Sequence, residues 1–392
     1  MLATTHNAYS FVPFLRTTPN AILAQLPATA YSFLHIDTRA LVSNFHFLVA
    51  KSGDARCAAV VKADAYGLGA ETISQTLTAA GCTVFFVAYL DEGIRLRQAL
   101  AGHNATIYVL NGFFAGVEAE FLAHDLTPVL SDLEQIDRWR GFAVAHAQEL
   151  PAALHVDTGM HRTGVPDAQL QILREQPQRL IGIAVKLIMS HLTSASNMDD
   201  DFNNIQRQRF LSARKGLPLA PASLVASSGI FLGSAYHFNM TRPGMALYGL
   251  NPTPNQANPM QPLISLWAKI YQVQDVSPGE TVGYFQTHTA KTHQRVATIA
   301  LGYADGVPWL MENKGAISIG DYVAPLIGRV SMDLVTVDVT DIPESLVFPG
   351  QWVELLGKTN ELGGWVNFAQ TSSHEVLTNL RKRPLRIYSE IT

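Results

Sequence analysis

Ala58-Ala59-Val60-Val61-Lys62-Ala63-Asp64-Ala65-Tyr66-Gly67-Leu68-Gly69 runs from four apolar residues into a lysine and then into a glycine-bearing loop. A solid apolar run, rather than an alternating one, marks a strand buried on both faces of a parallel sheet. Lys62 then stands at the C-terminal end of that strand, ahead of a helical stretch over 71–80. One reading of such a lysine is ordinary: its stem lies along apolar surface and its ammonium reaches the rim. The other is chemical, since an amine kept partly desolvated can form a Schiff base with a carbonyl. The two glycines decide nothing alone, because strand-to-helix turns commonly carry them.

Outward from this stretch the same texture repeats. Residues 83–89, 105–111, 126–131, 153–158, 181–192, 224–228 and 242–248 read as further strands. Helical stretches over 71–80, 91–101, 133–148 and 203–215 lie between them, and Asp91-Glu92 puts acidic charge on a first helical turn. Eight strands with helical crossovers predict an α/β fold, a (β/α)8 TIM-type barrel over 38–255, rather than an open doubly wound sheet. After Pro252-Thr253-Pro254-Asn255 the runs shorten and are punctuated by Pro278-Gly279, Gly320-Asp321 and Pro349-Gly350. Residues 256–392 therefore read as a separate mainly-β domain, joined by an N-terminal strand at 30–37. Residues 1–29 read as a disordered or weakly ordered extension.

Composition narrows the partners. Lys+Arg 28 against Asp+Glu 32 in 392 residues leaves no broad basic surface, which argues against nucleic acid. No apolar run approaches the roughly 18–20 residues that span a bilayer. Ala28-Thr29-Ala30 resembles the end of a signal peptide, but Arg16 is the only nearby charge and the apolar stretch before it is short. A cytoplasmic protein is the expectation. Two cysteines, Cys57 and Cys82, exclude a disulfide scaffold. With no Cys-x-x-Cys and no His-Glu-x-x-His, metal catalysis is not expected, and His288 and His293 read as surface residues.

The polar outliers fall at one end of the expected barrel. The segment from Asp157 to Arg162 follows one strand and His191 ends the next, while Ser227-Ser228-Gly229 closes another and Arg242-Pro243-Gly244 opens the last. The C-terminal rim is where barrel enzymes keep their sites, often with a phosphate near strands 7 and 8. The Ser228 hydroxyl and the amides of Gly244 and Met245 suit such a phosphate. Singly, His191 reads as a bonded core histidine, Arg242 as an ion-pair partner and Ser228 as a turn residue. Together with Lys62 they point to pyridoxal phosphate.

Val61-Lys62-Ala63-Asp64-Ala65-Tyr66-Gly67 resembles the cofactor-lysine signature of the alanine racemases, the fold-type III pyridoxal phosphate enzymes. The likeness continues through His155-Val156-Asp157-Thr158-Gly159-Met160-His161-Arg162-Thr163-Gly164, Ser190-His191 and Arg242-Pro243-Gly244-Met245-Ala246-Leu247-Tyr248-Gly249. It extends to Gly302-Tyr303-Ala304-Asp305-Gly306, Gly328-Arg329-Val330-Ser331-Met332-Asp333 and Arg383-Pro384-Leu385-Arg386-Ile387-Tyr388. These motifs stand in family order from about residue 32 to 388.

The resemblance implies interconversion of L- and D-alanine, supplying D-alanine for peptidoglycan or catabolising it. It implies that Lys62 carries the cofactor and serves as one base, with Tyr284 as the second base, reaching across from the partner subunit of a homodimer. A racemase removes the Cα proton on one face and delivers one on the other, so opposed bases suffice. A phenol needs nearby positive charge or hydrogen bonds to act as a base, and a relay of His191 and Arg242 with Tyr284 is implied. Arg242 would also face the pyridine nitrogen and keep it unprotonated, making the ring a weaker electron sink. Tyr66, Ser228, Gly244, Met245 and Tyr388 would hold the phosphate. Arg162 would contact the cofactor's phenolic oxygen and the substrate carboxylate, with the Met332 amide, again from the partner subunit, as a second carboxylate donor. Tyr303 and Tyr388 match residues that narrow the substrate entrance.

Three positions depart from the family pattern. His155 stands where many members carry a lysine that becomes carbamylated and buttresses the arginine matched by Arg162, so no carbamate is expected here. Leu68 replaces a histidine and Ser227 an asparagine. A serine or broader-specificity racemase, a decarboxylase of the same barrel class and a non-catalytic pyridoxal phosphate carrier are the rival readings. The carrier type is a lone barrel, so residues 256–392 count against it.

Overall fold

A computed structural model of the chain describes residues 22–23, 26–357 and 361–388. The chain divides into two compact units, Ala40–Pro262 and a second made of the residues up to Arg39 together with those from Leu263 onward. The division thus falls a few residues past the Pro252–Asn255 segment.

In the first unit the strands Ala59–Val60, Val84–Val87, Thr106–Val109, Thr127–Leu130, Leu150–His155, Ile183–Met189 and Ala222–Ser223 pair in sequence order, all parallel. Val84–Val87 is buried throughout, as a strand covered on both faces must be. An eighth piece, Met240–Thr241, closes the ring. On one side it pairs in parallel with Arg56–Cys57, and the Val60 N–H donates to the Pro243 carbonyl at 2.9 Å. On the other, the N–H groups of Asn239 and Arg242 donate to Ala222 and Val225 at 3.0 Å each. Helices Ala70–Ala79, Leu90–Ala99, Leu133–Ala145 and Phe202–Ala213 stand where the amphipathic stretches predict them. Asp132 caps the third, accepting the Gln135 N–H at 2.8 Å.

Two expected strands do not fill their apolar runs. Pro243 has no N–H to continue a ladder, and the chain turns into a 3₁₀ segment, Met245–Tyr248, in place of a strand over 242–248. The strand expected over 224–228 falls instead just before it, at Ala222–Ser223, and a 3₁₀ turn begins at Ser228.

In the second unit Ser32–Ile36 pairs antiparallel with the long strand Ile264–Val276 and parallel with Leu385–Tyr388. Ile264–Val276 also pairs with Gln294–Ile299 and with Trp352–Leu356. The helices Leu362–Ala369 and Ser373–Asn379 follow, and the Trp365 indole N–H donates to the Leu355 carbonyl at 3.1 Å. Most of the expected extension over 1–29 lies outside the described residues. Of the part described, Ile22 is buried against Phe33 and Ile387, so that end of the segment packs on the sheet. Among the described residues no helix is long and apolar enough to cross a membrane.

Candidate active site

Lys62 follows the strand Ala59–Val60 by two residues, opens the turn Lys62–Tyr66 and is half-buried. The next four residues, Ala63 to Tyr66, all take φ between 52° and 56°, a left-handed turn built without glycine. Such a conformation costs roughly 1–2 kcal/mol per residue, so its neighbours must hold it. Glu92 does so from the following helix. One carboxylate oxygen accepts the Ala63 N–H at 2.7 Å and the other accepts the Ala88 N–H at 2.7 Å. Asp64 accepts the Ala70 N–H at 2.8 Å, and Gly67, with φ 85°, ends the turn. Burial lowers the Lys62 pKa, the Arg162 charge lowers it further, and Glu92 opposes both. A larger share of neutral, nucleophilic amine follows near neutral pH.

Tyr66 is buried with its ring 4.6 Å from that of Tyr248, whose hydroxyl donates to the Val60 carbonyl at 2.8 Å. Burial pushes the Tyr66 phenol up to about 12, which keeps it a proton donor. Gly244 faces it: a Cβ there would come within 2.4 Å of the Tyr66 hydroxyl. The Ser227 hydroxyl accepts the N–H groups of Gly244 at 3.0 Å and Ala246 at 3.1 Å. The Gly244 amide, expected to meet a phosphate, is therefore turned to Ser227. Sequence reasoning treated Ser227 only as a replacement, yet it ties its own turn to the one that carries Met245. Ser228 begins the 3₁₀ turn beside it.

Arg242 is buried and donates to the Ser190 carbonyl at 2.6 Å and to the Ser223 hydroxyl. Burial lowers its pKa to about 9, so it remains a cation at neutral pH. Among the described residues the Arg242 guanidinium donates to the Ser190 carbonyl and the Ser223 hydroxyl, and no bond from it to His191 is formed. The charge is nonetheless close. His191 is held down to about 3 by burial first, then by Arg242 and Arg162, and His155 to about 4 by the same causes in the same order. Both imidazoles are neutral at physiological pH. Gln206, fully buried, donates to the His191 carbonyl at 3.0 Å and to the Thr158 hydroxyl at 3.3 Å. Thr158 in turn bonds the Ser190 hydroxyl at 2.8 Å, so three rim segments are tied by a glutamine that carried no sequence signal.

Asp157 shapes the loop that leads to Arg162. Its Oδ1 accepts the N–H groups of Gly159, Met160 and His161 at 2.9, 3.0 and 3.2 Å. Burial alone would raise its pKa, but the amides of Gly159 and His161, together with the His161 imidazole, outweigh it and the pKa falls. Arg162 is exposed and, among the described residues, makes no hydrogen bond or ion pair, which leaves its charge available to an anion.

Lys62, Tyr66, Arg162, His191, Ser228, Arg242, Gly244 and Met245 all belong to the barrel unit, and Tyr284, Tyr303, Met332 and Tyr388 to the β unit. Within the latter, two turns are zipped together. The Tyr303 and Ala304 N–H groups donate to the Ser331 and Met332 carbonyls at 3.0 Å each. A Cβ at Gly302 would come within 2.4 Å of both carbonyls. Asp305, 1 % exposed, accepts the Gly302 N–H at 2.8 Å and holds Arg383 at 2.5 Å, which also reaches Asp333 at 2.5 Å. Tyr284 stands on a separate turn after Gly283 and is 66 % exposed, and Tyr388 ends the strand Leu385–Tyr388, in register with Ile36.

Pyridoxal phosphate fits the barrel residues on chemical grounds. A part-desolvated amine can engage its aldehyde, and a phenol donor faces a glycine where any side chain would intrude. The model of the alanine racemase N-terminal domain matches residues 36–252 and that of the C-terminal domain residues 263–388. The chain is 42 % identical over 363 residues to an alanine racemase of Rhodospirillum rubrum, covering 92 % of this chain and 97 % of that one. It is 42 % identical over 361 residues to a catabolic alanine racemase of Mesorhizobium japonicum, covering 92 % and 94 %. An alanine racemase from Bartonella henselae with covalently bound pyridoxal phosphate superposes with a TM-score of 0.88 at 36 % identity, covering 92 % of this chain and 99 % of that one. The chain belongs to the alanine racemase family.

Proposed function

We propose that the chain is a pyridoxal phosphate-dependent isomerase that interconverts L- and D-alanine. The observation that carries this reading is Lys62, half-buried at the barrel rim with its pKa lowered, within the field of Arg162 and ahead of the turn that buries Tyr66. When bound, the cofactor supplies the electron sink that makes the Cα proton of an amino acid removable.

The chain's residues supply the rest. Tyr66, Ser228, Met245 and Tyr388 would hold the phosphate, with Ser227 fixing the turn that carries Met245 and Gly244, its amide tied to Ser227, leaving room beside the Tyr66 hydroxyl. Arg162 and the Met332 amide orient the substrate carboxylate. Lys62 exchanges the proton on one face of Cα and Tyr284 on the other. Arg242, a cation at neutral pH, would stand by the cofactor's pyridine nitrogen and keep it from gaining a proton, which would favour return of the proton to Cα over side reactions. His191, held neutral, accepts a hydrogen bond without adding charge. Tyr284 and Met332 come from the second subunit of a homodimer, and the exposure of both suits cover by another copy. Because the two enantiomers have equal free energies, cellular concentrations set the direction, and the same site serves supply of D-alanine or its removal.

Purified protein with added cofactor should convert either pure enantiomer to an equal mixture, followed by polarimetry, and exchange the Cα hydrogen with solvent. Parallel runs with L-serine separate an alanine enzyme from a broader one. Full activity in Lys62→Ala would refute the reading.

A further inference from the structure

Tyr284 sits on a turn that no glycine supports after its first residue. Gly283 has φ 79°, but Phe285 and Gln286 follow with φ 59° and 55°, a left-handed conformation that side-chained residues rarely adopt. Something outside the turn must hold it. The Phe285 ring is 81 % exposed, yet one face lies against the Arg329 guanidinium, whose carbon is 4.6 Å from the ring centroid. The same guanidinium lies 4.8 Å from the Trp309 ring centroid and donates to Glu312 at 3.0 Å. Asn313 completes the support: its amide N–H groups reach the Thr287 carbonyl at 3.2 Å, and its oxygen accepts the Gly328 N–H at 2.6 Å. A Cβ at Gly283 would meet the Arg329 nitrogen at 3.1 Å, so the two backbones are packed with little spare room.

We infer that Arg329 is a positioning residue for Tyr284. Its guanidinium, clamped by Trp309 and Glu312, presents a flat cationic face on which Phe285 stacks, and this fixes the strained turn that aims the phenol. The inference rests on the proposed role of Tyr284 as a base. A planar, delocalised cation is needed for the stack, and the compact ammonium of lysine does not supply one.

The test compares Arg329→Leu, Arg329→Lys, Phe285→Ala and Phe285→Tyr with Tyr284→Phe, all as holoenzyme. Misplacing a proton-transfer group by a fraction of an ångström slows its step, so kcat should fall about tenfold in Arg329→Leu, Arg329→Lys and Phe285→Ala while KM changes less than about twofold. Phe285→Tyr, which keeps the stack, should retain kcat. The primary isotope effect with Cα-deuterated alanine should rise for the one enantiomer whose proton Tyr284 takes and stay constant for the other. Amide hydrogen exchange over residues 283–287 should quicken in the same variants. Unchanged kcat in Arg329→Leu, or isotope effects that move equally for both enantiomers, would overturn the inference. Full activity in Tyr284→Phe would instead overturn the role of Tyr284 itself, whatever the Arg329 variants do.

Discussion

Glu92 and Ala63 are 29 residues apart, and the carboxylate of one accepts the N–H of the other at 2.7 Å, directly after Lys62. With its second oxygen on Ala88, Glu92 spans the end of one barrel strand and the start of the next helix. Removing it strips partners from two backbone donors and frees a left-handed turn to relax. Glu92→Ala should lose about 1–3 kcal/mol of stability by thermal or denaturant unfolding, and Cα exchange should slow as Lys62 loses its fixed direction. Glu92→Gln should do nearly as much harm, since its amide nitrogen would face one of the two N–H groups. Wild-type stability in Glu92→Ala would show that the turn is held by other means.

Subunit sharing is tested by mixing. Lys62→Ala and Tyr284→Phe should each be inactive as pure dimers. If Tyr284 serves the partner's Lys62, each mixed dimer has one complete site, so equal co-expression should restore about a quarter of wild-type sites. Activity no higher than the two pure variants would place both residues in one subunit.

Acid stability follows from the neutral histidines. His155 has its pKa lowered from 6.5 to about 4 in the fold, so between those values the unfolded chain binds a proton that the folded chain refuses. Stability is full above pH 6.5 and falls as the pH drops towards 4, by at most about 1.4 kcal/mol per pH unit for this one group. His155→Asn should flatten the stability profile over that window in denaturant titrations, and an unaltered slope would show that His155 is not the group refusing the proton.

Gly244→Ala probes the phosphate cradle. The native φ of −125° lies outside the left-handed region, so the added methyl acts through space, against the Tyr66 hydroxyl. Cofactor affinity measured by equilibrium dialysis should fall at least about tenfold, the equivalent of one well-made contact to a charged group. Retained affinity would mean that Tyr66 can step aside without cost.

Much of this was legible in the sequence because burial leaves a direct mark. Apolar runs such as Val84–Val87 are solid because both faces are covered, and their alternation with amphipathic stretches spelled out a barrel. The motif around Lys62 and the one around Arg242 carried the site. Other parts rest on contacts that local sequence does not encode. Neither Ala63 nor Ala65 announces positive φ, and Asp64, a type that adopts it only at times and then singly, does not announce a run of four. Glu92 read as a charge suited to a helix N-terminus, whereas its carboxylate bonds a turn 29 residues upstream. The strand expected over 242–248 ends early because one missing N–H at Pro243 outweighs the apolar run beyond it. Gln206 looked like any polar residue on a helix, but it faces inward and is completely buried.

The zipper between the Tyr303 and Met332 turns bears on how this protein could change its substrate. Two carbonyls contact Gly302, and Arg383 clasps the carboxylates behind each turn, so the two segments move as one body. Trimming the Tyr303 side chain leaves the backbone bonds to Ser331 and Met332 in place, so neither turn retreats by itself. If these turns flank the substrate as proposed, a larger amino acid would be admitted by shifting the whole clasped pair, and Asp305, Asp333 and Arg383 would set specificity from behind the lining residues.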